Sequence, residues 1–110
     1  MKPWDKSTKA EKPGKLSGLK LYIAGPISGV SDYQERFTAM AKKCEAAGAI
    51  VLNPATLPSG MTQRDYMRIC IAMLECADCA VFLRGWEQSA GARVEMAWCE
   101  KMGLPVYEEV

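Results

Sequence analysis

The sequence contains no histidine among its 110 residues. This absence excludes serine–histidine–aspartate and cysteine–histidine catalysis, histidine-ligated zinc and pH switching by histidine. No apolar run approaches the roughly 20 residues of a membrane span, and the first 20 residues lack the apolar core of a secretory signal. Fourteen basic and 13 acidic residues give a net charge of +1. No overall electric field therefore favours nucleic acid or an anionic membrane as a partner.

The cysteines are odd in number and no secretion signal accompanies them. They are Cys44, Cys70, Cys76, Cys79 and Cys99. We predict free thiols in a cytoplasmic protein, because disulfides persist in oxidising compartments. Cys76 and Cys79 have the CxxC spacing, but a zinc site of this type needs a second pair, and Cys70 and Cys99 lie alone on predicted helices. We therefore expect neither a bound metal nor a disulfide.

The first 18 residues form a polar segment that contains Pro3, Pro13 and Gly14. Residues 1–20 carry six lysines and two acidic residues, a net charge of +4, whereas the rest of the chain carries −3. A segment with so few apolar residues cannot bury enough surface to order itself. We predict a disordered basic leader over residues 1–18 and one folded domain over residues 19–110. A nucleic-acid-binding arm is a weaker interpretation of the same lysines.

Short apolar runs bounded by turn residues predict four β-strands. These runs are residues 19–24, 49–52, 79–83 and 105–107. Helical patterns separate them, and such alternation is typical of parallel strands with right-handed crossovers. We predict an α/β fold, a small doubly wound parallel sheet of flavodoxin or Rossmann type, with four to five strands and flanking helices. Because such folds bind ligands at the carboxyl ends of the strands, the candidate loops are residues 25–31, 53–61 and 84–91.

Three helices are predicted from their start signals and from apolar residues at helical spacing. The first follows a capping box formed by Ser31 and Gln34. Thr62, with Asp65 three positions later, caps the second. Ser89 starts the third.

The second predicted helix is apolar around most of its circumference. Its core stripe consists of Tyr66, Cys70, Met73, Leu74 and Ala77, and Met67 and Ile71 widen it. A helix this apolar is buried on more than one side. We therefore predict a homo-oligomer, a dimer or larger, that forms through this helix; a thick core within one chain is the alternative.

The turn after the first predicted strand is a candidate binding segment. It consists of Gly25, Pro26, Ile27, Ser28 and Gly29. Its glycines permit close backbone approach, and the helix that follows offers N–H groups to an anion. The turn matches neither GxGxxG nor a phosphate loop that ends in GK[ST]. The corresponding dinucleotide and Walker-type nucleotide sites are therefore excluded.

The start of the third predicted helix carries the acid best placed for chemistry. Ser89 can cap this helix and also face an anion at its N-terminus. Gly91 and Glu95 are four residues apart on one helix face, so the glycine clears space over the carboxylate. Glu95 borders the apolar stripe of the helix, which predicts partial burial near the binding edge. An ordinary surface glutamate is the alternative.

Three motifs resemble the nucleoside 2-deoxyribosyltransferase superfamily. They are Tyr22-Ile-Ala-Gly-Pro-Ile27, Ala77-Asp78, and Ser89-Ala-Gly-Ala-Arg-Val-Glu95. Within that superfamily the chain looks most like the small phage and bacterial proteins of the DUF4406 group, in which YIAGPISG, NPA-x-LP and GWE-x-S-x-GA-x-x-E recur. The resemblance covers residues 20–107.

The resemblance implies chemistry on the N-glycosidic bond of a 2′-deoxyribonucleoside or its 5′-monophosphate, without a cofactor. Glu95 falls on the nucleophile, which forms a covalent deoxyribosyl ester that a second base or water resolves. Tyr22 falls on the tyrosine that hydrogen-bonds this nucleophile. Ser89 matches the phosphate-binding serine of the branch that hydrolyses deoxynucleoside 5′-monophosphates, where nucleoside transferases carry an aspartate. Ser89, Gly91 and the turn at residues 25–29 would bind the substrate.

Three positions depart from the pattern of the resembled enzymes. Pro26 and Ser28 stand where the hydrolase branch has a serine and an arginine. Cys70 stands where the family has an aspartate that protonates the departing base, and Asp65 would replace it only in a different helix register. Two rival functions therefore stay open. One is a non-catalytic nucleotide-binding or sensing module, and the other is a structural assembly protein.

Overall fold

The computed structural model describes residues 2–4 and 16–110. The strands of this part are β1 (Lys2–Trp4), β2 (Lys20–Ala24), β3 (Ile50–Leu52), β4 (Cys79–Phe82) and β5 (Val106–Glu109). Its α-helices are α1 (Tyr33–Ala46), α2 (Gln63–Cys76) and α3 (Ala90–Met102), and short 3₁₀ turns cover Pro54–Thr56 and Trp86–Gln88. None of the helices described is long and apolar enough to cross a membrane.

The strands form one parallel sheet in the order β1-β5-β4-β2-β3. β2 is an interior strand next to the edge strand β3, and its Tyr22 pairs with Leu52 on one side and Ala80 on the other. From β2 the chain moves outward to β3 and then crosses back to β4, so the strand order reverses beside β2. The predicted small doubly wound parallel sheet is confirmed. Its ligand-binding edge lies where β2 ends, because the crossovers diverge there.

The two faces of the sheet pack against different helices, and β2 contributes to both. Successive strand residues point to opposite faces. Leu21 and Ile23 join the core that α1 covers. Tyr22 and Ala24 join the core that α2 and α3 cover. The position of Tyr22 in this alternation therefore turns its ring towards α3.

Side-chain caps fix the starts of α2 and α3 where the sequence predicts them. Thr62 Oγ1 accepts a hydrogen bond from the Asp65 N–H at 3.1 Å, and the Asp65 carboxylate accepts one from the Thr62 N–H at 3.3 Å. Ser89 Oγ accepts from the Ala92 N–H at 3.2 Å. Each cap satisfies an amide that helix geometry leaves without a partner. Both predictions are confirmed.

The capping box predicted at the start of α1 is wrong. The N-cap is Asp32, and no side-chain hydrogen bond caps the helix. Two turns precede it: the Val30 N–H donates to the Ile27 carbonyl at 3.1 Å, and the Tyr33 N–H donates to the Val30 carbonyl at 3.3 Å. Because of these turns, the helix begins only at Tyr33. Ser31 therefore lies one position too early to cap.

Parts of the predicted leader belong to the folded domain. β1 pairs with β5 in parallel, with Trp4 opposite Glu109. Leu16 is buried, and its N–H donates to the Ala47 carbonyl at 2.7 Å. The domain therefore begins before the predicted boundary at residue 19, because sheet pairing and apolar burial tie these residues to it. Residues 1 and 5–15 lie outside the described residues, and their disorder stays a prediction.

A shallow apolar groove runs along the outer face of α2. Its lining consists of Leu52, Arg68, Ile69, Ala72, Met73 and Cys76. The two residues that widened the apolar stripe in the sequence lie elsewhere, since Met67 lines a cavity on the inner side and Ile71 packs against the core. Ile50 shares the edge strand β3 with Leu52 and is 56% exposed. An apolar surface at a sheet edge is typical of an interface.

We expect two copies of the chain to pair through this groove. Arg68 and Glu75 are seven residues apart on α2, so they lie on the same side of the helix. Antiparallel packing of two α2 helices about Ala72 would bring Arg68 of one copy beside Glu75 of the other. Light scattering at micromolar concentration should give a dimer mass. Ala72→Glu should give a monomer with unchanged helix content, because it places a charge at the centre of the contact.

The matched control for that experiment is Ala39→Glu, at an exposed position of α1. It adds the same charge to a helix surface away from the groove, so its mass should stay that of the dimer. A monomeric wild type, or dissociation by both variants alike, would contradict pairing through α2.

Candidate active site

A cavity of about 410 Å³ opens at the carboxyl end of β2, between the three helices. Its volume lies in the range of pockets for small molecules and cofactors. All three ligand loops predicted from the sequence contribute to its lining. Of the predicted site residues, those that line it are Tyr22, Gly25, Pro26, Ile27, Ser28, Ser89, Gly91 and Glu95.

One buried hydrogen bond joins the sheet to α3 inside this cavity. The Tyr22 hydroxyl donates to Glu95 Oε2 at 2.7 Å. Glu95 is 6% exposed and is the only charged side chain that is buried in the described part of the chain. Its Oε1 atom accepts no hydrogen bond from residues 16–110, whose side chains the structure describes. The arrangement therefore holds one carboxylate oxygen and leaves the other for a ligand.

Burial controls the protonation of this pair. It raises the pKa of Glu95 to about 7, and the hydrogen bond from Tyr22 opposes that shift. Burial also raises the pKa of the Tyr22 hydroxyl, and the neighbouring Glu95 carboxylate raises it further. Tyr22 therefore stays a neutral donor, while Glu95 changes charge near neutral pH. Perturbed acids of this kind cluster at functional sites.

Cys70 stands beside the Tyr22–Glu95 pair. It is buried on α2 and lines the cavity. Burial raises the pKa of its thiol, the neighbouring Tyr22 hydroxyl opposes the shift, and the Glu95 carboxylate adds to it. The side chain is therefore a neutral thiol near pH 7 and not a thiolate nucleophile. Asp65, the other candidate proton donor from the sequence, caps α2 and does not line the cavity.

Ser89 lies at the N-terminus of α3 and at the wall of the cavity. Its Oγ accepts from the Ala92 N–H, which leaves the hydroxyl hydrogen for another acceptor. The N–H groups of Ala90 and Gly91 belong to the first helical turn and have no partner within the helix. Together with the positive end of the helix dipole, these groups favour an anion at this point.

The turn after β2 contributes four of its five predicted residues. Gly25, Pro26, Ile27 and Ser28 line the cavity. A Cβ atom at Gly25 would lie 2.9 Å from Leu83 Cβ, so this glycine lets the turn pack against the end of β4. Gly29 does not line the cavity, although the sequence suggested it. Its φ of +77° lies in the left-handed region, which glycine adopts without strain. Gly29 therefore forms the turn that leads into α1.

Gly91 lies where α3 approaches α2. A Cβ atom there would be 3.4 Å from Met67 Sδ. This is an ordinary van der Waals distance, so an alanine would fit against Met67 and the packing of the two helices does not by itself require a glycine. No atom of Glu95 lies within 4 Å of that Cβ position, so the structure does not support the expectation that Gly91 clears space over the carboxylate.

Sequence reasoning missed the contribution of Tyr66. Its helical spacing assigned it to the core stripe of α2, but its ring lines the cavity. The hydroxyl donates to the Pro58 carbonyl at 2.6 Å and accepts from the Met61 N–H at 3.4 Å. Tyr66 thus ties the loop after β3 to α2. The sequence did predict that this loop, residues 53–61, lies at the ligand-binding edge of the sheet. That prediction could have indicated that the start of α2, which follows the loop, also borders the site.

The described residues offer no metal centre. All five cysteines are free thiols, and residues 2–4 and 16–110 contain no group of three or more metal-ligating side chains. Cys76 and Cys79 span the end of α2 and the start of β4, as the sequence predicts. The described lining of the cavity contains no lysine, arginine or aspartate. Glu95 is therefore the one charged side chain in that lining.

Comparison with known proteins identifies the family. The family model described as a domain of unknown function (DUF4406) matches residues 19–108. The chain therefore belongs to this family. No curated protein and no solved structure matches the chain significantly.

The pKa of Glu95 predicts how stability depends on pH. It is about 7 in the folded protein, against a usual value of 4.5. Between these values the folded state binds more protons than the unfolded state, so the free energy of unfolding falls as pH rises. Glu95→Gln removes this titration. From about pH 5 to about pH 8, the variant should gain about 2–3 kcal/mol relative to the wild type.

Urea unfolding of both proteins at the two pH values measures this difference. Glu100→Gln is the control, because Glu100 is exposed on the same helix. It should follow the pH dependence of the wild type. Parallel pH dependences of the wild type and Glu95→Gln would show that Glu95 is not a destabilising buried charge.

Proposed function

We propose that this member of the DUF4406 family cleaves the N-glycosidic bond of a 2′-deoxyribonucleoside 5′-monophosphate, with Glu95 as nucleophile. The base would be released to water or exchanged for another base. The observation that carries the proposal is the 2.7 Å hydrogen bond between Tyr22 and a buried Glu95 inside the cavity. A buried acid without a counter-ion lowers stability, so its place in a ligand-sized cavity favours a chemical role.

The reaction proceeds in two displacements. In the first, a Glu95 oxygen attacks the anomeric carbon C1′ while the bond from C1′ to the base nitrogen breaks. The electron pair of that bond leaves with the base, which takes up a proton, and an ester joins C1′ to Glu95. In the second, water or a second base attacks C1′ and releases one proton to solvent, which balances the proton taken up by the departing base, and the electrons of the ester bond return to the carboxylate. Both transition states resemble an oxocarbenium ion, which a carboxylate stabilises and captures.

The surroundings of Glu95 suit this task. Tyr22 holds Oε2, so Oε1 is the oxygen presented to the substrate. A weakly solvated carboxylate attracts developing positive charge more strongly than one in water, because the local dielectric constant is low. Tyr22 remains neutral and does not compete with the substrate for that charge.

The resemblance to the nucleoside 2-deoxyribosyltransferase superfamily supports the same reaction. The motifs that carry it, at residues 22–27 and 89–95, meet at one cavity, although they are far apart in the sequence. Tyr22 and Glu95 make the contact that the resemblance implies between the tyrosine and the nucleophile. The parallel sheet and its binding edge are those expected for this chemistry.

A phosphate group on the substrate is supported by Ser89. This residue offers a hydroxyl and lies next to the first amides of α3, where an anion is favoured by about 0.3–1 kcal/mol or more. Ser28 lines the same cavity from the turn after β2. No carboxylate stands at position 89 to repel a phosphate.

A non-catalytic nucleotide-binding or sensing module is the second candidate function. The observation that favours it is Cys70, a neutral thiol where the resembled enzymes carry an aspartate that protonates the base. Without a general acid, departure of the base is slower by about 100-fold or more. Binding without release of base would identify this alternative.

We further propose that the protein acts in the cytoplasm, without a metal or other cofactor. Five free thiols support this location, because reducing compartments keep cysteines unpaired. The two displacements above need only the carboxylate, a proton source and water or a second base.

Glu95→Gln tests the nucleophile. It keeps the size of the side chain and removes the attacking charge. Release of free base from the four 2′-deoxynucleoside 5′-monophosphates, measured by chromatography, should fall by about three orders of magnitude or more.

Tyr22→Phe should retain activity but move the pH–rate midpoint upward, because the hydrogen bond that lowers the pKa of Glu95 is lost. Glu100→Gln should match the wild type, and undiminished release by Glu95→Gln would remove Glu95 from the mechanism.

Ser89→Asp tests the phosphate. Aspartate still caps a helix, so folding should be retained. Wild-type protein should bind each monophosphate more tightly than its nucleoside, and the variant should reverse that order by like-charge repulsion. Calorimetric titration measures both affinities. Ser59→Asp adds a charge elsewhere in the cavity lining and should leave the order unchanged; equal affinities in the wild type would instead favour a free nucleoside as ligand.

A further inference from the structure

Two adjacent glutamates at the end of β5 hold the segment that leads into α3. The Trp86 indole N–H donates to Glu108 Oε1 at 2.9 Å. The Arg84 backbone N–H donates to Glu109 Oε1, also at 2.9 Å. Hydrogen bonds to ionised acceptors are stronger than those between neutral groups. The segment between β4 and α3 is therefore fastened to the last strand at two points.

Helix α1 adds a third attachment to the same segment. An Arg36 guanidinium nitrogen donates to the Arg84 carbonyl at 2.7 Å and lies 3.8 Å from Glu109 Oε1. Side chains therefore bind both the N–H and the carbonyl of Arg84. This backbone has no sheet partner there, so the side chains take the place of a strand neighbour.

A short turn, held by hydrogen bonds within it, connects the attached segment to the cavity. The Trp86 ring packs edge-on against Phe82 at 5.5 Å. In the turn that follows, the Gln88 N–H donates to the Gly85 carbonyl and the Ser89 N–H donates to the Trp86 carbonyl, both at 3.0 Å. Gln88 and Ser89 line the cavity, whereas neither glutamate of β5 does. Any effect of the glutamates on a ligand must pass through this turn.

We propose that Glu108 and Glu109 are positioning residues that fix Ser89 and the N-terminus of α3 for the phosphate of the substrate. The inference rests on the proposed function, because it assigns the phosphate to Ser89. A shift of the turn by a fraction of an ångström would misdirect the Ser89 hydroxyl and the first amides of α3. Recognition of the sugar and the charge of Glu95 would be unaffected, since Glu95 is held by Tyr22 of β2.

The test compares Glu108→Ala with Glu108→Gln, and Glu109→Ala with Glu109→Gln. The glutamine amide oxygen can still accept each hydrogen bond, so it should rescue most of the effect. Glu100→Ala, on the exposed face of α3, is the control. Hydrogen exchange of amides 84–92 reports how firmly the segment is held, whether or not the protein is an enzyme. Calorimetry and steady-state kinetics use the four 2′-deoxynucleoside 5′-monophosphates and the matching nucleosides.

In both alanine variants we expect faster exchange over residues 84–92. Affinity for the monophosphates should fall about tenfold, with less than about a twofold loss for the nucleosides. KM should carry the change, and the pH–rate midpoint set by Glu95 should not move. The glutamine variants should lie close to the wild type.

Two results would overturn the inference without touching the proposed function. One is unchanged exchange over residues 84–92 in the alanine variants. The other is an equal loss for nucleotides and nucleosides, which would indicate a general structural role. A wild type that neither binds nor cleaves any of the compounds would overturn the proposed function, and the phosphate role of the glutamates with it.

Discussion

A glutamate is buried in this small domain with a tyrosine hydroxyl as its hydrogen-bond partner. Burial of such an acid is tolerated because the hydroxyl satisfies one carboxylate oxygen and the raised pKa, about 7, keeps the acid neutral at pH values at which an exposed glutamate is charged. The contact forms because Tyr22 points to the α3 side of the interior strand β2 and Glu95 lies on the inner face of α3. Cys70, Ser89 and the turn after β2 line the same cavity as this pair, and Glu95 gives that cavity its one charged side chain.

Features of the fold that depend on local rules could be predicted from the sequence. The caps at Thr62 and Ser89 need only a side chain and an amide three residues away. The capping box at Ser31 failed because two backbone turns, invisible in the residue pattern, came before the helix. The edge strand Lys2–Trp4 could not be predicted, because it depends on pairing with β5 at the other end of the chain.

In the candidate site, too, local features could be predicted from the sequence and contacts between distant residues could not. Helical spacing placed Glu95 near the apolar stripe of α3, but its contact with Tyr22, 73 residues away, entered through the family resemblance alone. Glu108 and Glu109 follow the last predicted strand, residues 105–107, and belong to none of the motifs in the sequence. Their partners lie 22 and 25 residues away, in a segment whose pattern shows only a turn. Tyr66 was assigned to the core because a helical stripe does not show where a core opens into a cavity.

The covalent bond between Glu95 and the sugar is the step on which the proposed reaction depends. Its most direct test is mass spectrometry of protein mixed with a deoxynucleoside monophosphate and quenched in acid during turnover. We expect a mass increase equal to one deoxyribosyl phosphate group, located on the peptide that contains Glu95 and absent from Glu95→Gln. Release of base with no such adduct, or with the adduct on another residue, would contradict it.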